Sequence, residues 1–165
     1  MDTNPLTPTT GSYLKSLKII FGALLAGQVF FAVVAWFMIK SGTFPATFSF
    51  EKILLIAVIL LAAAIIGAGI YIFNSRMTAL SERRNFSEKL NDYRAALIVK
   101  YATTEGPSFF AIVAFMLTGN MIILGIGIAI IAYFATLWPS VEKMAGDMNL
   151  NPGEKIKLEN PDTMI

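Results

Sequence analysis

Gly27-Gln-Val-Phe-Phe-Ala-Val-Val-Ala35 and Gly106-Pro-Ser-Phe-Phe-Ala-Ile-Val-Ala114 read almost alike. Gly, Phe-Phe-Ala, Val and Ala recur at the same offsets, Gly106 following Gly27 by 79 positions (106 − 27 = 79). Each stretch lies in an apolar segment, and each such segment is followed by another. One helical hairpin present twice, both copies in the same sense, accounts for the arrangement. Chance similarity within the small alphabet of apolar segments is the other account. The first reading predicts an all-α fold, an integral membrane four-helix bundle built as two tandem helical hairpins.

Composition points the same way. Of 165 residues, 56% are hydrophobic and 15% charged, and the mean hydropathy is +0.66. Soluble domains carry about 25% charged residues, so the expected surroundings are a lipid bilayer. The chain has no Cys and no His. That excludes disulfides, thiolate nucleophiles, a haem axial histidine, most zinc sites and the usual proton shuttle near neutral pH. A net charge of +2 is too small to argue for nucleic acid. No cofactor, metal or catalytic residue is expected. The sequence carries no Walker loop, dinucleotide fingerprint, HExxH or nucleophile elbow.

A membrane helix needs about 20 mainly apolar residues to cross a hydrocarbon core of about 30 Å. Residues 17–39, 53–73 and 121–138 are read as spans. Gly106 to Leu117 is apolar but too short alone, so the third span is read as 101–118, reaching back through Glu105. A soluble reading would bury all four runs, and too few polar residues remain to cover such a core. Eleven basic residues fall on one side of this topology (Lys15, Lys18, Arg76, Arg83, Arg84, Lys89, Arg94, Lys100, Lys143, Lys155, Lys157) and two, Lys40 and Lys52, on the other. The positive-inside rule then predicts cytoplasmic N- and C-termini, in a bacterial inner membrane. Trp36, Tyr71, Tyr101, Tyr133 and Trp138 fall near span ends as interfacial anchors.

The expected organisation is a disordered cytoplasmic N-terminus (1–13), a membrane domain (14–138) and a polar cytoplasmic tail (139–165). The first apolar run is too long for a signal-peptide core and no small-residue cleavage site follows it, so it is read as retained. Within the membrane domain, residues 74–100 form a cytoplasmic helical segment. Asn85 with Glu88 resembles a capping box, and Phe86, Leu90, Tyr93, Leu97 and Tyr101 line one helical face that runs into span three. Span two extends through Met77 and Leu80, giving a short antiparallel helical stalk. The charges there are a solvated face, a docking surface or an anionic-lipid contact. Thr118-Gly119-Asn120 is a tight turn. The 40–52 loop, with Phe44-Pro45, Phe48 and Phe50, is either a plain interfacial loop or a ligand lid. Asn151-Pro152-Gly153-Glu154 starts a short tail helix ending before Asn160-Pro161. Leu150, Ile156 and Leu158 are its docking candidates, and acids of the tail can meet basic residues of the central segment.

Glu105 is the one ionisable residue this topology places within the hydrocarbon, about 22 Å from the external turn at 1.5 Å per residue. A carboxylate there is costly unless it faces the interior, is protonated or snorkels. Pro107 cannot donate a backbone hydrogen bond and frees a carbonyl nearby. Glu105, Gln28, Thr104 and Ser108, with Thr103 beside them, form a candidate proton or cation site. The alternatives are that Glu105 reaches the interface or pairs with Lys100 or Lys18, and that Gln28 is interhelical glue. Gly22 and Ala26, Ala23 and Gly27, Ala63 and Gly67, and Gly125 and Ala129 are small-xxx-small pairs that allow close helix approach, within one chain or between chains.

The stretch from Tyr93-Arg94 to Asn120, with Glu-Gly-Pro, Phe-Phe-Ala and Leu-Thr-Gly-Asn, and the Leu-Asn-Pro of the tail resemble small uncharacterised bacterial four-span inner-membrane proteins. The resemblance covers about half the chain and implies no particular activity. The two-hairpin plan with one carboxylate in the second copy also resembles the duplicated proteolipid of rotary ATPases. There the carboxylate lies mid-membrane in the last span, whereas Glu105 lies in span three. Two functions are therefore expected as alternatives. One is a structural or accessory protein forming a homo-oligomer or a subunit of a larger membrane complex. The other is a proton or cation carrier built on Glu105.

Overall fold

The computed structural model describes residues 9–42, 50–80 and 85–165. Among them the chain is all-helical, with six helices and no strand. They are α1 (Thr10–Lys40), α2 (Glu51–Leu80), α3 (Phe86–Thr118), α4 (Met121–Ala135), α5 (Val141–Asp147) and α6 (Pro152–Glu159). By length and composition α1 and α2 are apolar enough to cross a membrane, and α4 is a shorter apolar helix. Most of the 40–52 loop, residues 43–49, and residues 1–8 lie outside the described residues.

Local chemistry sets the helix ends. Thr9 and Ser12 cap α1 reciprocally, each side chain meeting the other's backbone. The helix therefore starts at Thr10, ahead of the boundary expected at residue 14. Asn85 caps α3 through the Ser87 N–H at 3.0 Å. Gly119 closes α3 with φ 68°, a left-handed conformation that favours glycine, and donates to the Phe115 carbonyl at 2.7 Å. Asn120 then caps α4 through the Ile122 N–H at 2.7 Å. The turn is as tight as the sequence implies. α4 stops at Ala135, three residues short of the span expected to reach Trp138, because Pro139 disfavours a helical Trp138. Pro107 does not interrupt α3.

α3 is the central element. α1, α2 and α4 all pack on it, and α1 also packs on α4, but α1 and α2 do not pack extensively on each other. The hairpin plan therefore closes for α3–α4 only. The reason is that the first pair divides around α3. Gly69 brings α2 against Thr103 on one flank, while Gln28 brings α1 against Ser108 on another.

α1 and α3 run parallel and in register. Hydrogen bonds join Tyr13 to Leu90, Ser16 to Arg94 and Gln28 to Ser108, pairs 77, 78 and 80 positions apart. The 79-residue spacing of the repeated motif falls inside that range, so its two copies lie side by side.

Two apolar clusters result. The first joins Tyr13, Leu17 and Phe21 of α1, Phe73, Met77 and Leu80 of α2, the Leu90–Tyr101 stripe of α3, Phe134, and Met144, Met148 and Leu158 from the C-terminal helices. The stripe expected along residues 86–101 is thus buried, with Phe86 partly so. The second gathers Ala35, Val58, Ala111, Ile112, Phe115, Ile123, Leu124 and Ile131 at the turn end. Tyr101, expected as an interfacial anchor, is instead a core residue, whereas Tyr71 is 74% exposed.

Candidate functional site

Between the two clusters, where α3 passes from Tyr101 to Ala111, lie the polar residues picked out in the sequence. Gln28 and Ser108 are fully buried and Thr104 nearly so. The Ser108 hydroxyl lies 2.8 Å from Gln28 Oε1 and 2.8 Å from the Glu105 carbonyl. Gln28 Nε2 reaches back to the Leu24 carbonyl at 3.5 Å. Thr104 donates to the Lys100 carbonyl at 2.9 Å, and Thr103 lies 2.9 and 3.0 Å from those of Val99 and Lys100. Glu105 joins this group through its backbone alone. Its side chain is half-buried, and among the described residues it has no ion-pair partner. Neither Lys18 nor Lys100 pairs with it, and the Lys100 ammonium lies 4.0 Å from the Phe73 ring centroid.

Chemically the arrangement is a polar bolt. Within it the Gln28–Ser108 hydrogen bond ties α1 to α3, and the nearby hydroxyls are occupied by carbonyls of their own helix. Among the described residues no group of three or more acidic, His or Cys side chains is placed to hold a metal. Next to the bolt, Phe21, Tyr101 and Phe134 lock α1, α3 and α4. Phe21 stacks on Phe134 at 4.7 Å and meets Tyr101 edge-on at 5.2 Å. Tyr101 also donates to the Leu137 carbonyl at 3.3 Å.

The small residues show a different distribution from the one their spacing implies. Around Gly22, Gly27, Gly67 and Gly125 an added Cβ would meet nothing within 4 Å among the described residues. Ala26, Ala63 and Ala129 are likewise exposed. Close approach occurs instead at Gly69, against Thr103, and at Gly127, where a Cβ would lie 3.4 Å from that of Ala111.

A second constellation, at the charged end, was only partly legible. Lys89 and Glu154 form an ion pair at 2.8 Å with both side chains largely covered. Burial works to raise the Glu154 carboxyl. The Lys89 ammonium and the Asn151 N–H outweigh it and hold the group below its ordinary 4.5. Tyr93 lies 3.0 Å from Asp147 Oδ2. Burial, then the Asp147 charge, push the phenol well above its usual range, so it remains the donor. Tyr13 is raised mainly by burial, against the nearby Arg94, and donates to the Leu90 carbonyl at 2.5 Å. The end of the chain closes over the start of α1. Thr10 donates to the Thr163 carbonyl and Gly11 to that of Pro161, each at 3.0 Å. A Cβ at Gly11 would lie 2.9 Å from the Pro161 Cβ, so glycine is required there. Sequence reading missed α5 and this clasp, although Ser140 and Thr9 are good capping residues.

No protein-family model matches the chain, and no curated protein or solved structure matches it either.

Proposed function

We propose that the chain is a multi-pass inner-membrane protein of structural or accessory type. In this reading four helical segments form a membrane bundle with both ends cytoplasmic, and the bundle assembles with itself or with a larger membrane complex. The observation that carries it is where the apolar surface lies. In α1 and α2 the most apolar windows are only 17% buried, and Phe30, Phe37, Leu60 and Ile122 are each more than 60% exposed. A soluble protein would bury such helices, whereas lipid or a partner covers them without cost. The open small-residue pairs Gly22/Ala26, Ala63/Gly67 and Gly125/Ala129 add faces on which another helix can approach closely. The polar bolt supports a structural role, since its side chains are occupied in holding helices together.

Native mass spectrometry of gently extracted protein tests the reading. A homo-oligomer or co-purifying subunits is the expected result, and a monomer without partners overturns it. Glu105 favours a second reading, proton or cation translocation, because its carboxylate has no ion-pair partner among the described residues. The two separate on Glu105→Gln. An accessory protein keeps its assembly and shows no pH-driven flux in proteoliposomes in either form. A carrier shows flux that the variant loses.

A further inference from the structure

We infer that a pocket flanked by Lys100 and Lys143 binds a phosphate group, supplied by the headgroup of an anionic phospholipid. The inference rests on the membrane reading above. The pocket has a volume of about 290 Å³ and lies where α3, the end of α4 and the start of α5 converge. Tyr93, Trp138 and Asp147 also line it.

The cations are unequally satisfied. Lys143 donates to the Thr136 carbonyl at 2.5 Å and lies 3.3 Å from that of Trp138, neutralising the carbonyl end of α4. That leaves it a third donor. Lys100 has only the Phe73 ring beneath it, and among the described residues its ammonium has no hydrogen-bond acceptor. Burial holds this ammonium below the ordinary lysine value of 10.5. Asp147 pulls it up and Lys143 pushes it down again. Two cations and one carboxylate therefore line the pocket, and that carboxylate already accepts from Tyr93. An anion entering the pocket gives Lys100 its missing acceptors and relieves its repulsion with Lys143. One surplus positive charge suits a phosphodiester monoanion better than a dianion.

The site's position selects the source. Phe73, Lys100 and Trp138 mark the cytoplasmic ends of three proposed spans, the depth at which headgroup phosphates lie. Trp138 is 44% exposed at the rim, as an interfacial aromatic should be.

The test uses the full chain in nanodiscs and in detergent, titrated with phosphatidylglycerol, phosphatidylcholine or inorganic phosphate, with bound lipid counted by native mass spectrometry. Flotation with vesicles first establishes whether the protein enters bilayers. If it does not, the membrane reading fails and this inference fails with it. If it does, the expected result is preferential retention of phosphatidylglycerol. Lys100→Gln and Lys143→Gln should each weaken that retention about fivefold, while Lys155→Gln leaves it unchanged. Lys143→Gln reports independently should Lys100→Gln fail to fold. Equal retention of the two lipids, or indifference to both substitutions, overturns the inference in a correctly inserted protein. Lys100-dependent thermal stabilisation by inorganic phosphate without lipid preference assigns the pocket to a soluble ion and overturns the lipid source.

Discussion

At Gly69 the side chain of Thr103 occupies the space that a Cβ would take. An added Cβ would overlap Thr103 Oγ1 and lie 2.7 Å from Thr103 Cβ. Gly69→Ala should therefore destabilise the fold by about 1–3 kcal/mol through overpacking. Gly67→Ala, two residues away on an open face, should be neutral or stabilising by up to about 1 kcal/mol from helix propensity. Thermal unfolding of the two variants in the same detergent decides it, and equal Tm values would mean that α2 does not meet α3 at Gly69. The sequence favoured Gly67, because small-residue spacing finds candidate faces without saying which one meets a neighbour. α2 is apolar on every side and gives no polar face to orient it. Gln28 was legible for the opposite reason. A lone amide in an apolar helix must find a partner, and Ser108 lies one position from the point where the repeat aligns with it. Glu105 meets this pair through its carbonyl, and depth alone does not fix the azimuth of its side chain.

The elements divide by how much polar patterning they carry. The stripe of α3 and the capping box at Asn151 and Glu154 were legible because charged neighbours define a face and an end. Leu158 docks as expected, but Ile156 is 67% exposed, since a helix of two turns buries only one side. The Lys89–Glu154 pair fixes α6 to α3, and its titration has a definite sign. Glu154 is held below its ordinary value in the folded state. Its pairing therefore contributes stability above that value and loses it as pH falls through the folded one. α6 should stay docked at pH 7 and open only as the pH falls below the ordinary carboxyl value of 4.5, seen as faster hydrogen exchange of its amides after correction for intrinsic rates. Lys89→Met should open α6 already at pH 7, exposing Lys155 and Lys157 to trypsin while residues 86–118 stay protected. Unchanged cleavage would show that Leu158 and the Thr10–Thr163 clasp hold the tail without the ion pair.

At the scale of the molecule, the parallel register of α1 and α3 reproduces the spacing of the repeated motif, so the longest-range feature in the sequence is also the one the packing uses. The pairing of α1 with α2 was not legible. Their sequence adjacency implies a hairpin, but α3 offers each of them a polar or close-packed contact that they do not offer one another. The helices also differ in length, with a mechanical consequence in a bilayer. α4 has 15 residues and extends about 22 Å, against a hydrocarbon core of about 30 Å. α1 and α2, with 31 and 30 residues, exceed that core even when tilted. The Phe21–Phe134 stack keeps α4 from sliding relative to α1, so in the proposed four-span arrangement the bilayer thins beside α4. Each ångström of mismatch costs a fraction of a kcal/mol. The protein should therefore be more stable in nanodiscs of 14-carbon acyl chains than of 20-carbon chains. Lengthening the apolar end of α4 by Thr136→Leu should reduce the difference. If stability is independent of acyl length, α4 does not span the bilayer.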